Sequence, residues 1–248
     1  MNYNQCFPVD YSDSRQRFTD AAKRAGATVN RYSLSAADAS LDTDDLSIDV
    51  ASVGQADDLL VVSSGLHGVE GFFGAAVQLA LLDRWQTSAA ACRLLLIHAM
   101  NPWGYKNLRR VDEQNIDLNR NFPNASYRGA PRGYQQLNAL LNPARVVRIT
   151  DFFTLRAGLN IARHGMSTLK EAVATGQYEY PKGLFFGGNH SVCATTLLCE
   201  QFEDWLLDSK RIFHVDIHTG LGRYAQCKVL VPQADDGNIS QWCAANFS

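Results

Sequence analysis

A chain of 248 residues is long enough for one α/β domain with a full hydrophobic core, and its composition, 46% apolar and 19% charged, is that of an ordinary globular protein. The formal net charge of −2 gives no basic surface, so we expect no nucleic acid partner. The longest apolar stretch, 71–82, is too short to span a bilayer, so we expect no membrane segment.

The N-terminus and the cysteines bear on the cellular compartment. The opening residues lack the basic start and apolar run of a secretory signal, which predicts a cytoplasmic protein, although a mature protein after signal removal would look the same. The six cysteines show no C-x-x-C spacing. Reduced, mostly buried thiols are therefore expected rather than zinc bound by cysteine.

Hydrophobic periodicity predicts the elements in chain order. The first half contains a helix over 11–26 with Ser12 or Ser14 as its cap, strands over 46–53 and 59–63, a helix over 70–85 and a strand over 93–98. A polar loop over 103–132 follows, and the second half contains helices over 151–175 and 192–207 around a Gly-rich loop over 181–189, strands over 212–217 and 228–231, and a helix over 241–247. Strand, helix and strand at this spacing predict crossover units on a largely parallel sheet.

Polar residues come after three of the predicted strands, near their carboxyl ends: His67, Asn101 and His218. In open α/β sheets, ligands bind at the carboxyl ends of the strands, so this edge is the predicted site. His67 and Glu70 are three apart at a helix start and can direct an imidazole and a carboxylate at one zinc ion. An H-x-x-E pair alone is also typical of an ordinary helix start with a capping glutamate.

The loop over 110–123, R-V-D-E-Q-N-I-D-L-N-R-N-F-P, combines charged with apolar residues, which predicts that it packs against the protein. An arginine in such a loop can bind a carboxylate through two hydrogen bonds, with Asn119 beside it. Arg110 could instead polarise a carbonyl and stabilise its oxyanion. A surface network of aspartate and arginine is the alternative interpretation.

The predicted strand over 212–217 leads into H-T-G. Residues two apart in a strand share a face, so Asp216 and His218 can both point into a site. His218 is suited to bind a metal, and Asp216 to hold a neighbouring metal ligand in place. A single strand histidine is more often a core residue, which is the interpretation for His214.

Together these motifs resemble the zinc carboxypeptidase clan, which includes aspartoacylase and succinylglutamate desuccinylase relatives. The motifs are H-G-V-E at 67–70, N-P-W-G-Y at 101–105, an arginine at 110 followed by Asn-Arg within D-L-N-R-N-F-P, and D-I-H-T-G at 216–220. The likeness covers roughly residues 59–220. The opening F-P-V-D-Y-S-D-S-R-Q-R-F and the later H-T-G-L-G look most like a bacterial branch of unknown substrate.

The resemblance implies a three-layer α/β fold, a mixed, mostly parallel twisted sheet flanked by helices, with residues 1–248 as a single catalytic domain. It implies a Zn²⁺ cofactor bound by His67, Glu70 and His218. It also implies that Arg110 polarises the carbonyl group and that Asn119 with Arg120 forms a clamp for a substrate carboxylate. Arg109 is adjacent to Arg110 and could exchange roles with it, although the spacing to Asn119 favours Arg110.

The implied activity is hydrolysis of a peptide or amide bond next to a free carboxylate, in which zinc activates a water. The alternatives are an N-acyl amino acid deacylase of the aspartoacylase type, and a non-catalytic zinc- and ligand-binding protein on the same fold. Small peptides and N-acyl amino acids with a free carboxylate are the expected partners.

One departure from the clan concerns the general base. The clan uses a glutamate on a strand after the last histidine ligand, whereas no glutamate follows Glu203 here, and the later acids include Asp216, Asp235 and Asp236. The clan fold also needs more sheet than the predicted strands supply. Either the chain is a piece of a longer product, or it is a short form without the usual base. In both cases we expect residues 1–248 alone to be nearly inactive as a peptidase.

Overall fold

The computed structural model describes residues 3–34, 45–85, 91–123, 129–146, 148, 151–166, 175–220, 224–231 and 237–246. Residues 1–218 form one compact unit, and residues 219–248 form a second, smaller one. A single catalytic domain over 1–248 stays a prediction.

Five strands in the described chain form one mixed sheet: β1 (Thr28–Ser33), β2 (Ser47–Val53), β3 (Asp58–Ser64), β4 (Arg93–His98) and β5 (Arg211–Ile217). Their order is β1-β2-β4-β3-β5. β3 pairs in parallel with both β4 and β5, whereas β2 pairs antiparallel with β1 and β4. Four of the five strands therefore point the same way, and the predicted α/β class with a mixed, mostly parallel sheet flanked by helices is confirmed.

Seven α-helices lie within the described residues: α1 (Tyr11–Arg24), α2 (Gly71–Arg84), α3 (Pro102–Lys106), α4 (Arg132–Leu141), α5 (Phe153–His164), α6 (Cys193–Leu206) and α7 (Asn238–Asn246). In these parts of the chain, every helix lacks the length or the apolar character needed to cross a bilayer. The first six belong to the larger unit and α7 to the smaller one.

The alternation of side chains along β4 explains why its sequence is continuously apolar. Leu94 and Leu96 pack in a cluster with side chains of α1 and α2, whereas Leu95 and Ile97 pack in another cluster with side chains of α6. All four are nearly fully buried, and burial of such a side chain contributes roughly 1.5–3 kcal/mol. A strand covered on both faces in this way forms the middle of a three-layer fold.

Helix α1 begins one residue after its cap, which is Asp10 rather than the predicted Ser12 or Ser14. The Asp10 carboxylate accepts a hydrogen bond of 2.8 Å from the backbone N–H of Asp13. Phe18, Ala21 and Ala22 form the buried stripe of this helix, as its periodicity predicts. Ser14 is fully buried inside the helix, in hydrogen-bonding contact with His98.

Several elements differ from the prediction. β1 and α4 were not predicted, and α3 lies within the segment expected to be a loop. The predicted helix over 151–175 is interrupted rather than continuous: α5 spans Phe153–His164 and ends at Gly165, which has a positive φ, whereas Met166 and Thr175 are again helical. Residues 167–174 lie outside the described chain. Residue 247 of the last predicted helix is also outside it.

The predicted strand over 228–231 is wrong. These residues adopt no regular structure, and Val229 and Leu230 are 49% and 70% exposed. Their apolar, β-branched character favours a strand, but a strand is stable only when its backbone groups pair with a neighbour. Among the described residues, 228–231 pair with none of the five strands.

Candidate metal centre

The site lies where β3 and β5 end side by side. These strands pair in parallel, with Ser64 opposite Ile217, so their carboxyl ends meet at one edge of the sheet. His218 follows β5 directly, and His67 lies three residues beyond β3. Glu70 ends a 3-10 turn, Gly68–Glu70, that leads into α2. The sequence positions of the three residues therefore bring them to the same place.

The loop that carries His67 packs closely on α3. A side chain at Gly68 would place its Cβ 2.1 Å from the backbone carbon of Gly104, so only glycine fits there. The backbone N–H of Val69 donates to the carbonyl oxygen of Arg109 at 2.9 Å. These backbone contacts hold the turn, and with it His67 and Glu70, in a fixed position.

His67, Glu70 and His218 converge on one point, each with one ligand atom within 4.8 Å of the others. The Nδ1 atom of His67 lies 3.2 Å from Oε1 of Glu70 and 3.2 Å from Nδ1 of His218, which is 3.5 Å from Oε2 of Glu70. Two donors bound tetrahedrally to one zinc ion at about 2.0–2.1 Å are about 3.3 Å apart. The spacing and the donor types therefore fit a single metal ion.

The other nitrogen of each ring faces a carboxylate. His218 Nε2 lies 2.6 Å from Asp216 Oδ2, and His67 Nε2 lies 3.2 Å from Asp117 Oδ1. Metal-binding histidines usually donate their second ring N–H to such a partner, which fixes the tautomer and the ring orientation. Both Nδ1 atoms are thus directed toward the shared point.

Arg110 contacts His67, and this contact restricts which tautomer of His67 can bind a metal. Its Nη2 lies 2.8 Å from His67 Nε2, its Nη1 3.5 Å from Glu70 Oε1 and its Nε 3.1 Å from Asp117 Oδ2. The two contacts of His67 Nε2 require different tautomers. Arg110 only donates, so its contact needs the proton of His67 on Nδ1, whereas a hydrogen bond from Nε2 to Asp117 needs the proton on Nε2. Metal binding at Nδ1 requires the second tautomer, so Arg110 must then move off the ring.

Two ionisable groups of the site have shifted pKa values. Hydrogen bonds with Asp216 and then Glu70 raise the pKa of His218 to about 9, against the opposing effect of burial. Burial alone would raise the pKa of Asp117, but the hydrogen bond from His67 and the charges of Arg120 and Arg110 hold it at about 2. Without a cation, His218 is thus protonated at neutral pH, and metal binding there displaces a proton.

The two predicted substrate-contacting arginines are in different surroundings. Arg110 has a side chain that is 36% exposed, whereas the side chain of Arg120 is 12% exposed. Arg120 donates to Asp117 Oδ2, and its guanidinium carbon lies 5.3 Å from the centre of the Phe185 ring. Arg109 is exposed, and its backbone accepts from the N–H of Val69 and donates to the carbonyl oxygen of Gly104.

Asn119 is exposed, and its backbone N–H donates to Asp117 Oδ1 at 3.2 Å. Asn101, three residues beyond β4, caps α3 by accepting from the N–H of Gly104 at 2.9 Å. Asn101 therefore serves the local turn and lies outside the group of metal-ligand candidates.

Asp117 and Ser63 are site residues that reasoning from the sequence missed. Asp117 lies in D-L-N-R beside the predicted clamp and is fully buried among His67, Arg110 and Arg120. Its place in a motif with two predicted site residues was an available signal. Ser63 donates to Asp216 at 2.7 Å, and the sequence gives no signal for it because the partner is 153 residues away.

A mixed sheet that brings two histidines and a glutamate together at its carboxyl edge defines an α/β protein with a candidate metal centre. Residues 7–247 match the family described as "Protein of unknown function (DUF2817)", and the chain belongs to that family. A search of curated proteins finds no significant match.

Five solved chains match significantly. One is the crystal structure of a "putative metallopeptidase" from Shewanella denitrificans OS217, which is 22% identical with a TM-score of 0.31. The alignment covers 42% of this chain and 37% of that one, so this chain spans well under two thirds of its length.

Proposed function

We propose that this protein binds zinc through His67, Glu70 and His218 and is built to hydrolyse a peptide or amide bond next to a free carboxylate. The observation that carries the proposal is the mutual spacing of 3.2–3.5 Å among two imidazole nitrogens and a carboxylate at the carboxyl edge of the sheet. Zinc prefers such nitrogen and oxygen ligands and leaves a fourth position open in catalytic sites. When bound, it lowers the pKa of a water and polarises a carbonyl group.

The chain's own residues supply orientation and charge. Arg110 is partly exposed and borders Glu70, so its guanidinium is placed to donate to the carbonyl oxygen of a substrate. Asp117 holds His67 and balances the charges of Arg110 and Arg120. Asn119 and Arg120 are proposed to bind the substrate carboxylate. For Arg120 this requires the guanidinium to share its donors between Asp117 and the substrate.

A non-catalytic binding protein is the second candidate, and the engagement of the carboxylates favours it. Near the three ligand candidates, the described acids already have partners: Asp117 faces His67 and two arginines, and Asp216 faces His218 and Ser63. A general base must be free to take a proton and typically contributes about 10²–10⁴-fold in rate. We therefore expect residues 1–248 to bind zinc and an acidic ligand but to hydrolyse peptides very slowly.

The test has two arms, each on the zinc-loaded protein. Calorimetry should detect binding of N-acyl amino acids, with Arg120→Lys weakened by about 1.5–3 kcal/mol for each charge-assisted hydrogen bond lost. Equal affinity for an acid and its amide would contradict the carboxylate clamp.

The second arm is a hydrolysis assay against a panel of small peptides and N-acyl amino acids. Very slow turnover with intact ligand binding is the expected result for this chain. Rapid hydrolysis that is lost in Asp216→Asn while the zinc content stays at the wild-type level would show that Asp216 acts as the base. Rapid hydrolysis of acyl amino acids alone would favour the deacylase. Arg148→Lys, at an exposed arginine outside the group of candidate ligands and their described partners, serves as the control for Arg120→Lys.

A further inference from the structure

Ser63 lies beside the candidate metal centre without belonging to it. It is the next-to-last residue of β3, it is fully buried, and it is opposite Asp216 in the parallel pairing of β3 with β5. Its Oγ lies 2.7 Å from Asp216 Oδ1 and 2.8 Å from His214 Nε2. One buried hydroxyl therefore joins two side chains of the neighbouring strand.

The directions of these hydrogen bonds follow from the chemistry of the groups. A carboxylate only accepts, so the hydroxyl of Ser63 donates to Asp216 Oδ1, and the remaining contact requires His214 Nε2–H to donate to Ser63 Oγ. The other oxygen, Asp216 Oδ2, faces Nε2 of His218 at 2.6 Å. The chain of hydrogen bonds runs from His214 through Ser63 and Asp216 to His218.

A serine, a histidine and an aspartate in contact raise the question of a nucleophile. In a nucleophilic set, the histidine accepts the serine proton and the aspartate holds the histidine. Here the aspartate contacts the serine, and the serine proton is directed to the carboxylate. The Ser63 side chain is also fully buried, so its oxygen cannot reach a substrate. The geometry therefore does not support a nucleophilic serine.

We infer that Ser63 is a positioning residue for His218: its hydroxyl, itself held by His214, fixes the Asp216 carboxylate that orients the His218 ring toward the metal. This inference rests on the metal centre of the proposed function. A carboxylate held at one oxygen by Ser63 has its other oxygen directed at His218 Nε2. Loss of the serine hydroxyl leaves Asp216 free to rotate, and His218 then loses its fixed orientation. Partners of this kind typically contribute about 10–100-fold in metal affinity.

The adjacent residue supplies a matched control. Ser64 is also fully buried at the end of β3, but successive strand residues point to opposite faces, and its hydroxyl donates to Gln78 Oε1 at 3.0 Å. Ser63→Ala and Ser64→Ala each remove one buried hydroxyl from the same strand. Only the first removes a contact with the proposed positioning chain.

The experiment measures zinc affinity by competition with a chromophoric chelator for the wild type and both variants, together with urea unfolding of the metal-free proteins. The expected result is zinc affinity about 10–100-fold lower in Ser63→Ala and unchanged in Ser64→Ala, at similar stability. Wild-type affinity in Ser63→Ala, or an equal loss in both variants, would overturn the positioning role while leaving the metal centre standing. A wild type that binds no zinc would remove the proposed function and this inference with it.

A second pair of variants decides the matter if Ser63→Ala does not fold. His214→Gln keeps an N–H donor that can reach Ser63, whereas His214→Leu removes it. We expect His214→Gln to retain the zinc affinity of the wild type and His214→Leu to lose part of it. Equal affinity in these two variants would contradict the chain of hydrogen bonds.

Discussion

Asp117 shows how a single residue organises the charges of this site. Its carboxylate is fully buried and contacts one imidazole and two guanidinium groups, from His67, Arg110 and Arg120. Burial of an isolated carboxylate is costly, but the hydrogen bond with His67 and the charges of the two guanidinium groups keep this one ionised, with a pKa of about 2. It is the shared partner of the candidate metal ligand and of both arginines proposed to contact substrate.

The substitution Asp117→Asn tests this arrangement. It keeps the shape of the side chain but removes the negative charge, leaving two guanidinium groups beside an uncharged amide. Removal of one partner from a buried ion pair costs about 3–5 kcal/mol, so we expect a large loss in the free energy of unfolding. We also expect about 10–100-fold weaker zinc binding, because His67 loses its carboxylate. Urea unfolding and chelator competition measure the two effects.

The control for that variant is Glu113→Gln, which removes an acid from the same loop outside the group around His67. Its stability and zinc affinity should equal those of the wild type. An Asp117→Asn variant as stable as Glu113→Gln, with unchanged zinc affinity, would show that Asp117 does not organise the site.

At the scale of elements, a buried polar network joins four of them. Tyr105 of α3 donates to Ser14 of α1 at 3.0 Å, Ser14 contacts Nε2 of His98 of β4 at 3.1 Å, and Nδ1 of His98 contacts Oε1 of Gln78 of α2 at 2.9 Å. The amide oxygen of Gln78 only accepts, so Nδ1 of His98 carries the proton and Nε2 accepts from Ser14. The Phe18 ring stacks on His98 with centroids 4.5 Å apart. The network requires a neutral imidazole.

This requirement predicts sensitivity to acid. Burial lowers the pKa of His98 to about 4, below its ordinary value of 6.5. A histidine with a lowered pKa in the folded state contributes stability that is present above pH 6.5 and is lost as the pH falls toward 4. Between pH 7.5 and pH 5 the loss is about 2 kcal/mol, at about 1.4 kcal/mol per pKa unit.

Urea unfolding at the two pH values, for the wild type and His98→Gln, isolates this contribution. The variant keeps a polar side chain that does not titrate, so its stability should fall less on acidification by about the same 2 kcal/mol. Other titrating groups, His218 included, affect both proteins alike and cancel in the difference. The same pH dependence in both proteins would show that His98 does not control the acid sensitivity.

Elements were predictable from sequence where burial imposes a strong pattern. β4 is apolar on both faces because helices cover both, and its predicted bounds agree with the structure. β1 has the weaker sequence T-V-N-R-Y-S and is mostly exposed at the edge of the sheet, so neither an apolar run nor a clear alternation indicates it. Residues 228–231 show the opposite error, since local character alone does not supply a pairing partner.

For the whole molecule, the order of short motifs along the chain predicted which residues would meet, and the topology explains why. β3 and β5 are distant in sequence but adjacent and parallel in the sheet, so residues at their carboxyl ends converge. The grouping of His67, Glu70 and His218 follows from this topology. The partners Asp117 and Ser63 depend on side-chain packing between distant segments, which no local pattern in the sequence encodes.

The central claim is that His67, Glu70 and His218 hold one metal ion, and the metal content of protein prepared without chelators tests it most directly. We predict about one zinc per chain in the wild type and in His190→Ala, which removes an exposed histidine outside the site. We predict loss of stoichiometric zinc in His67→Ala and in His218→Ala. Two histidines and one carboxylate also suit non-haem iron, so stoichiometric iron in place of zinc would correct the identity of the metal and leave the ligands standing. Zinc retained at about one per chain in the variant that carries both His67→Ala and His218→Ala would contradict the account.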